Sequence, residues 1–560
     1  MPGVCAAEKT SCCESGSAAH VRPNSRYVET LRSSNSVGSG LAAPLSRGRA
    51  FLPRRLLAFH QIALLIFFAA PLIAGQSHLG KIDFPNSGTP EAQEPFTRGV
   101  LLLHSFEYED AREAFQEART IDPDFALAWW GEAMTHNHPL WRHQDREAAR
   151  DALSRFAPTL EQRLERTPTE RERDYLRAIE ILYGDGEKIE RDLAYSEGMG
   201  ALAARYPDDL EARAFYSLSI LGTVQGVRDF RTYMRAGAVA EEVFAANPRH
   251  PGAAHYMIHS YDDPIHAPLG VRAARVYALI APAASHAQHM ISHIWVALGD
   301  WLRSIEANRK AVDVSIERRK RKELGPDAVS YHALHWLEYS LLQAGRFEEA
   351  RETMEMMTRY AEESGSETAL WHHAAMRANW IVETEDANSF PEMRTGETAL
   401  SGAAASLFAT GFVAIRNGDR ETAVDAAERL ANRHETAVAH HGCGVPQRYR
   451  DPSPQEITAA AVMYKSLLGL IELDRGEPAR ALALLEEATA LEESMPLDYG
   501  PPAIVKPSHE LYGEVLLKLD RKDAAAAQFE KALERNPNRR LSLAGLAKAV
   551  EGEAVPAELP

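Results

Sequence analysis

Apolar residues recur at helical spacing along most of this chain, and few stretches alternate with the period of two that marks a half-buried strand. Ala, Leu, Glu and Arg dominate. The pattern predicts an all-α protein. From Phe96 the pattern also becomes repetitive. Gly99, Ala111, Phe115, Ala118 and Pro123 occupy offsets 8, 20, 24, 27 and 32 of a 34-residue unit. Near the other end Gly513, Ala525, Phe529, Ala532 and Pro537 reproduce the set. The small residues let two helices approach, the Phe fills the remaining gap, and the Pro ends the second helix. Residues 124–138 read as the first helix of a second unit, which His138-Pro139-Leu140-Trp141 interrupts. Residues 145–247 are helical in pattern but poorly phased. Units then start at Pro251, Ser285 and Tyr331, with 12 extra residues between the last two. Gly418 with Ala423, and Gly476 with Ala481, mark later units. Loops are expected at 384–397 and 434–455, and again at 499–510.

A period of 34 with these offsets resembles the tetratricopeptide repeat, a helix–turn–helix unit. The resemblance implies an α-solenoid: helix pairs stacked into a superhelix with a concave groove that takes ligands or partners. It also implies that positions 2, 5, 9, 12 and 13 of each first helix line that groove. The stretches HPLW, HYMIHSYDDP and YGPP…KPSHELYGE are similar to a group of exported bacterial repeat proteins, a likeness that carries no activity with it.

The groove positions are where the chemistry concentrates. Seven of the 22 histidines fall within residues 250–301. His255 and His289 are 34 residues apart, as are His259 and His293, so neighbouring repeats carry His pairs at i and i+4. Asp262 continues the stripe at i+7, with Asp263 beside it. Packed helices stand about 8–10 Å apart, so imidazoles from both sides can meet. His255, His259, His289 and His293, with Asp262, are therefore the candidate ligands of a transition metal. Histidine with carboxylate suits zinc, copper or iron. His286, His332, His335 and Tyr339 are candidate groove residues, and Asp263 is the candidate general base. Two other readings stand beside the metal: a groove that takes its ligand without one, and histidines that merely pack. His104 at groove position 13 of the first repeat, and His372 and His373 further on, are possible extensions. His136, His138 and His143 read as a surface loop, and His440-His441-Gly442-Cys443 is a minor candidate. The sequence holds no Walker loop, dinucleotide fingerprint, GxSxG or HExxH.

Composition adds destination and partner class. At 45% hydrophobic and 25% charged, the 560 residues can build an ordinary core. Arg47, Arg49, Arg54 and Arg55 precede a short apolar run, 62–73, which exits through Ala74-Gly75. That is a secretory signal, predicting a periplasmic or extracellular protein, with an uncleaved membrane anchor as the alternative. The run is too short, and too broken by Pro71, for a permanent span. Residues 1–75 carry eight basic and three acidic side chains, so the remainder of this −17 chain stands near −22. Such a charge argues against nucleic acid as a partner. Of Cys5, Cys12, Cys13 and Cys443, only the last survives removal of the presequence, which leaves no intramolecular disulfide.

The expected organisation is a presequence over 1–75, N-terminal repeats over 76–144 and irregular helical repeats over 145–247. His-rich repeats come next over 248–360, then divergent repeats with long loops over 361–456, and C-terminal repeats with a cap over 457–560. The expected function is an exported repeat scaffold that binds a peptide, protein or small molecule in its groove at a histidine-held metal. A metal-dependent enzyme on the same groove, and a metal-free interaction scaffold, are the alternatives.

Overall fold

The computed structural model describes residues 78–224, 228–393, 399–441 and 452–551. The presequence and Cys443 lie outside the described residues. Within them the chain forms 23 α-helices, and the strand pairing is a two-residue ladder, Asn137–His138 against His143–Gln144. The ladder and the turn Pro139–Trp141 fill the interruption between the second repeat's first helix, Ala126–Met134, and the helix Arg146–Phe156.

Aromatic wedges set the helix spacing. A Cβ on Gly99 would lie 2.8 Å from the Phe115 ring, and one on Gly131 would lie 2.3 Å from it. Phe529 is wedged in the same way between Gly513 and Gly545. Each of these two phenylalanines thus touches a glycine of its own repeat's first helix and a glycine of the next. Any side chain there would drive the helices apart.

The poorly phased middle is helical throughout its described residues. Six helices run from Arg146–Phe156 to Phe230–Ala246. Asp145, Thr159, Thr169, Asp209 and Asp229 each accept a backbone N–H at the start of one of them. Their apolar faces join one continuous core that extends from Leu79 to Ala297. A second core begins at Ile305 and runs to Val515. The junction between the two cores falls inside the His-rich repeats.

Two expectations shift. The loop placed at 434–455 starts later, because the helix Arg420–His440 continues through a buried Ala437. The basic run at 318–322 reads from sequence as a solvated helix end. Instead, Arg318 and Lys322, one turn apart on the helix Trp301–Arg321 and its cap, reach across to the helix Tyr108–Ile121. There Lys322 lies 2.7 Å from Asp110 and 2.6 Å from Glu113, and Arg318 lies 3.0 Å from Glu109. These contacts join segments about two hundred residues apart in the chain.

The C-terminal repeat closes onto the middle of the chain in a similar way. The Trp301 indole donates to the carbonyl of Asn538, and the fully buried Arg539 pairs with Glu383 and Glu510 at 2.8 Å each. Replacing Arg539 by Ala would remove the buried cation that the two carboxylates share, leaving Glu383 on Arg540 and Glu510 on Lys506 alone. We expect this to cost about 3–5 kcal/mol, read as a lowered denaturant midpoint with separation of the C-terminal repeat.

Candidate metal centre

The helix Pro251–Tyr261 starts where the His250 side chain accepts the Ala253 N–H, with Pro251 at its first position. It stops before Asp263-Pro264, because a residue preceding proline avoids the helical conformation. One repeat later the helix Ser285–Ala297 lies beside it, and Tyr331–Gln343 comes next. These three helices carry the histidines.

The rings are oriented from behind. His255 Nδ1 donates to the carbonyl of His104 at 2.7 Å. His289 Nδ1 donates to Asn308 Oδ1 at 2.7 Å, and Asn308 is itself fixed by donating to the Ser304 carbonyl at 2.9 Å. His293 Nδ1 donates to Asp262 Oδ2 at 2.8 Å. With the proton on Nδ1, each Nε2 presents a lone pair. His255 Nε2 then faces His286 Nε2 at 3.2 Å, and His289 Nε2 faces His293 Nε2 at 3.2 Å. His259 Nε2 is buried with no hydrogen-bond partner among the described residues.

Burial, followed by neighbouring imidazoles, pushes His255, His286 and His289 well below the ordinary imidazole range. The two Nε2–Nε2 approaches of 3.2 Å are spacings that a bound ion, or a shared proton, would bridge. Two nitrogens bound to one tetrahedral ion at 2.0–2.1 Å stand about 3.3 Å apart. A ring whose other nitrogen is tied to a carbonyl, amide or carboxylate is the usual arrangement behind a metal-binding imidazole.

The structure brings the expected ligands together as two histidine sets of three, joined by a third set. His255, His259 and His286 form one and His289, His293 and His332 the other; His259, Asp262 and His293 form a set that spans them, and within each set the ligand atoms lie within 4.8 Å of one another. His286 and His332, expected as groove residues, thus complete the sets. Asp262 stands behind them. It caps the shortened helix, lies 3.6 Å from His259 Nδ1, and pairs with Arg228 at 2.7 Å. Burial opposes its ionisation, but Arg228 and the two imidazoles hold the carboxyl well below its usual range. Asp263, the candidate base, is fully buried at a turn, where it accepts from the backbone of Ile265 and His266 and lies 2.9 Å from the His266 ring. These contacts occupy the carboxylate within the turn, away from the two sets. His335 pairs with Asn379 at 3.1 Å, and the Tyr339 hydroxyl accepts from Arg539 at 3.1 Å. Both lie apart from the two sets.

The remaining histidines serve otherwise. His104 and His250 both donate to the buried Glu211, at 2.6 and 3.0 Å, and His104 Nδ1 accepts from the Tyr256 hydroxyl at 2.8 Å. Every ring nitrogen there is satisfied, so this cluster ties three helices together through hydrogen bonds. Gly252 admits His104, since a Cβ would lie 2.4 Å from its Nδ1. His138 stacks on Tyr108, His372 lies beside His335, and His373 is buried with neither ring nitrogen partnered among the described residues. His441 is exposed, and the adjoining Gly442-Cys443 lie outside the described residues.

Aromatic residues enclose the centre, and the linear pattern did not single them out for it. Phe106 sits 4.3 Å from the His255 ring and 5.5 Å from His286. Its φ of 56° is a backbone conformation that costs about 1–2 kcal/mol for a residue with a side chain. Trp141, from the HPLW interruption, lies 5.7 Å from His286. Trp336 and Tyr499 stack on His293 at 4.4 and 5.0 Å. Tyr499 arrives from the loop before the last repeat, and Gly500 lets it do so: a Cβ there would lie 2.3 Å from the Trp336 ring. The presence of HPLW and YGPP as unusual loops was the only signal for Trp141 and Tyr499.

The tetratricopeptide repeat family model matches residues 507–539. No curated protein sequence matches the chain. Among solved structures it is similar to a chain of the APC/C hetero-tetramer Cut9-Hcn1, at 11% identity and a TM-score of 0.34, covering 85% of this chain and 79% of that one. It is also similar to yeast Tom70, at 10% identity and a TM-score of 0.29, covering 82% and 88%. These likenesses carry no function. Among the described residues no helix is long and apolar enough to cross a membrane. With one tetratricopeptide repeat matched at 507–539, the same glycine–phenylalanine wedge at the opposite end, and helix pairs between them, the described residues form an all-α solenoid of tetratricopeptide-type helix pairs.

Proposed function

We propose that this protein is an exported tetratricopeptide scaffold whose groove binds a ligand or partner at a transition-metal centre held by histidine. Tetratricopeptide proteins bind protein or peptide partners, and the concave helices are where they do so. The observation that carries the metal is the pair of 3.2 Å Nε2–Nε2 approaches, with the Nδ1 side of His255, His289 and His293 already engaged. Zinc, copper and iron all accept imidazole. Export rests on the basic and apolar presequence.

A second reading, a metal-dependent enzyme, is favoured by one feature. Three-histidine sets leave coordination positions open for water or substrate. An open cavity of about 490 Å³ adjoins His286 and is lined by Glu107, Arg318 and Ser330. The carboxyl of Glu107, which burial pushes up, accepts the His286 backbone N–H at 3.1 Å. It is better placed for base chemistry than Asp263.

Protein purified without an affinity His-tag should contain zinc, copper or iron by elemental analysis. Absence of metal, together with no uptake on titration with any of the three, would sink both readings. Replacing His259 and His293 together by Ala should abolish metal retention while circular dichroism keeps its helical signal, because the apolar faces that join the helices are untouched. Unchanged metal content would move the site elsewhere. Replacing Asn308 by Ala removes the acceptor behind His289 and should weaken metal binding roughly 10–100-fold, measured by competition with a chromophoric chelator.

A further inference from the structure

We infer that the groove holds two metal ions side by side, one in each histidine triad, each a copper or zinc ion. This rests on the reading that the centre binds metal at all. The strongest support is the repeat itself. The first triad takes positions 5 and 9 of the helix Pro251–Tyr261 and position 2 of Ser285–Ala297. The second takes positions 5 and 9 of Ser285–Ala297 and position 2 of Tyr331–Gln343. One is the other moved along the solenoid by one repeat. The series stops there, because position 9 of Tyr331–Gln343 is Tyr339, which faces Arg539.

Each triad contains one of the tight nitrogen pairs. His255 and His286 belong to the first, and His289 and His293 to the second. The triads adjoin: His259 and His293 stand 5.4 Å apart between centroids, and with Asp262 they form a cluster that spans both triads. Six imidazoles exceed what one four-coordinate ion can take. They suffice for two ions with three ligands each and open positions left over. The ligand set contains nitrogen alone, a donor type suited to copper and zinc rather than magnesium, calcium or manganese. Asp262 links the two: its carboxylate accepts from His293 of one triad and lies 3.6 Å from His259 of the other, with Arg228 behind it.

The test is stoichiometry on the full chain, stripped of metal and free of any affinity tag. Titration with copper(II) or zinc, followed by gel filtration and elemental analysis, should give two ions per chain. His332→Ala and His286→Ala should each retain one. His332 is exposed, so its removal opens no gap in the core, and circular dichroism checks folding in both variants. The doubly copper-loaded chain should show a dipolar-broadened paramagnetic resonance spectrum, and His332→Ala a narrow one. One ion in the native chain and one in both variants would overturn the pair and leave the single-metal reading standing. No ion in the native chain would remove both. Loss of all metal in either single variant would mean one mixed centre, and two ions with a narrow spectrum would mean separated sites. Either result overturns the pair.

Discussion

A cluster of neutral imidazoles can be packed into a protein groove only if every ring has somewhere to place its proton. Here the backbone of His104, the amide of Asn308 and the carboxylate of Asp262 take the Nδ1 protons of His255, His289 and His293. That choice fixes the tautomers, and with them the direction of the Nε2 lone pairs. Everything proposed for the centre depends on these supporting contacts, which come from separate helices and turns. Asn308 is held by Ser304, and Asp262 by Arg228, so the orienting groups are themselves oriented.

The solenoid tolerates such a cluster because its groove side chains are not needed for the core. The wedges of Phe115 and Phe529 between paired glycines hold helices together elsewhere in the chain. The apolar core changes over between Ala297 and Ile305, close to the centre, so the centre draws on both core segments. His255, His259, His286, His289 and His293 lie on helices of the first, and His332 lies between Tyr331 and Ala333 of the second. A metal bridging His289, His293 and His332 would pin the two segments together at their junction.

Long-range contacts complete the enclosure. Arg318 and Lys322 draw the helix Trp301–Arg321 to Tyr108–Ile121, which keeps Phe106 and Glu107 close to His286. Arg539, buried against Glu383 and Glu510, draws the last repeat in, and the preceding loop lays Tyr499 on His293. The centre is therefore walled by residues from the first repeat, the HPLW interruption and the C-terminal loop.

The sequence by itself determined the repeat. Glycine and phenylalanine at fixed offsets specify close helix pairs, and a period of 34 places His255 over His289 and His259 over His293, because translation along a solenoid preserves position. It also made the starts at Pro251, Ser285 and Tyr331 legible. The helix ends, the partition and the walls were decided in three dimensions. Asp262 and Asp263 fell on the helical stripe by counting, yet the helix stops at Tyr261 before the proline, so one orients rings and the other caps a turn. His286 and His332 stand at position 2 of their helices, and nothing local marks them as ligands rather than ordinary groove residues. Only the approach of the neighbouring helix joins them to their triads. Asn308, Arg228 and Tyr499 were beyond reach for the same reason: they contact the centre through side-chain directions and superhelical curvature, which linear spacing does not encode.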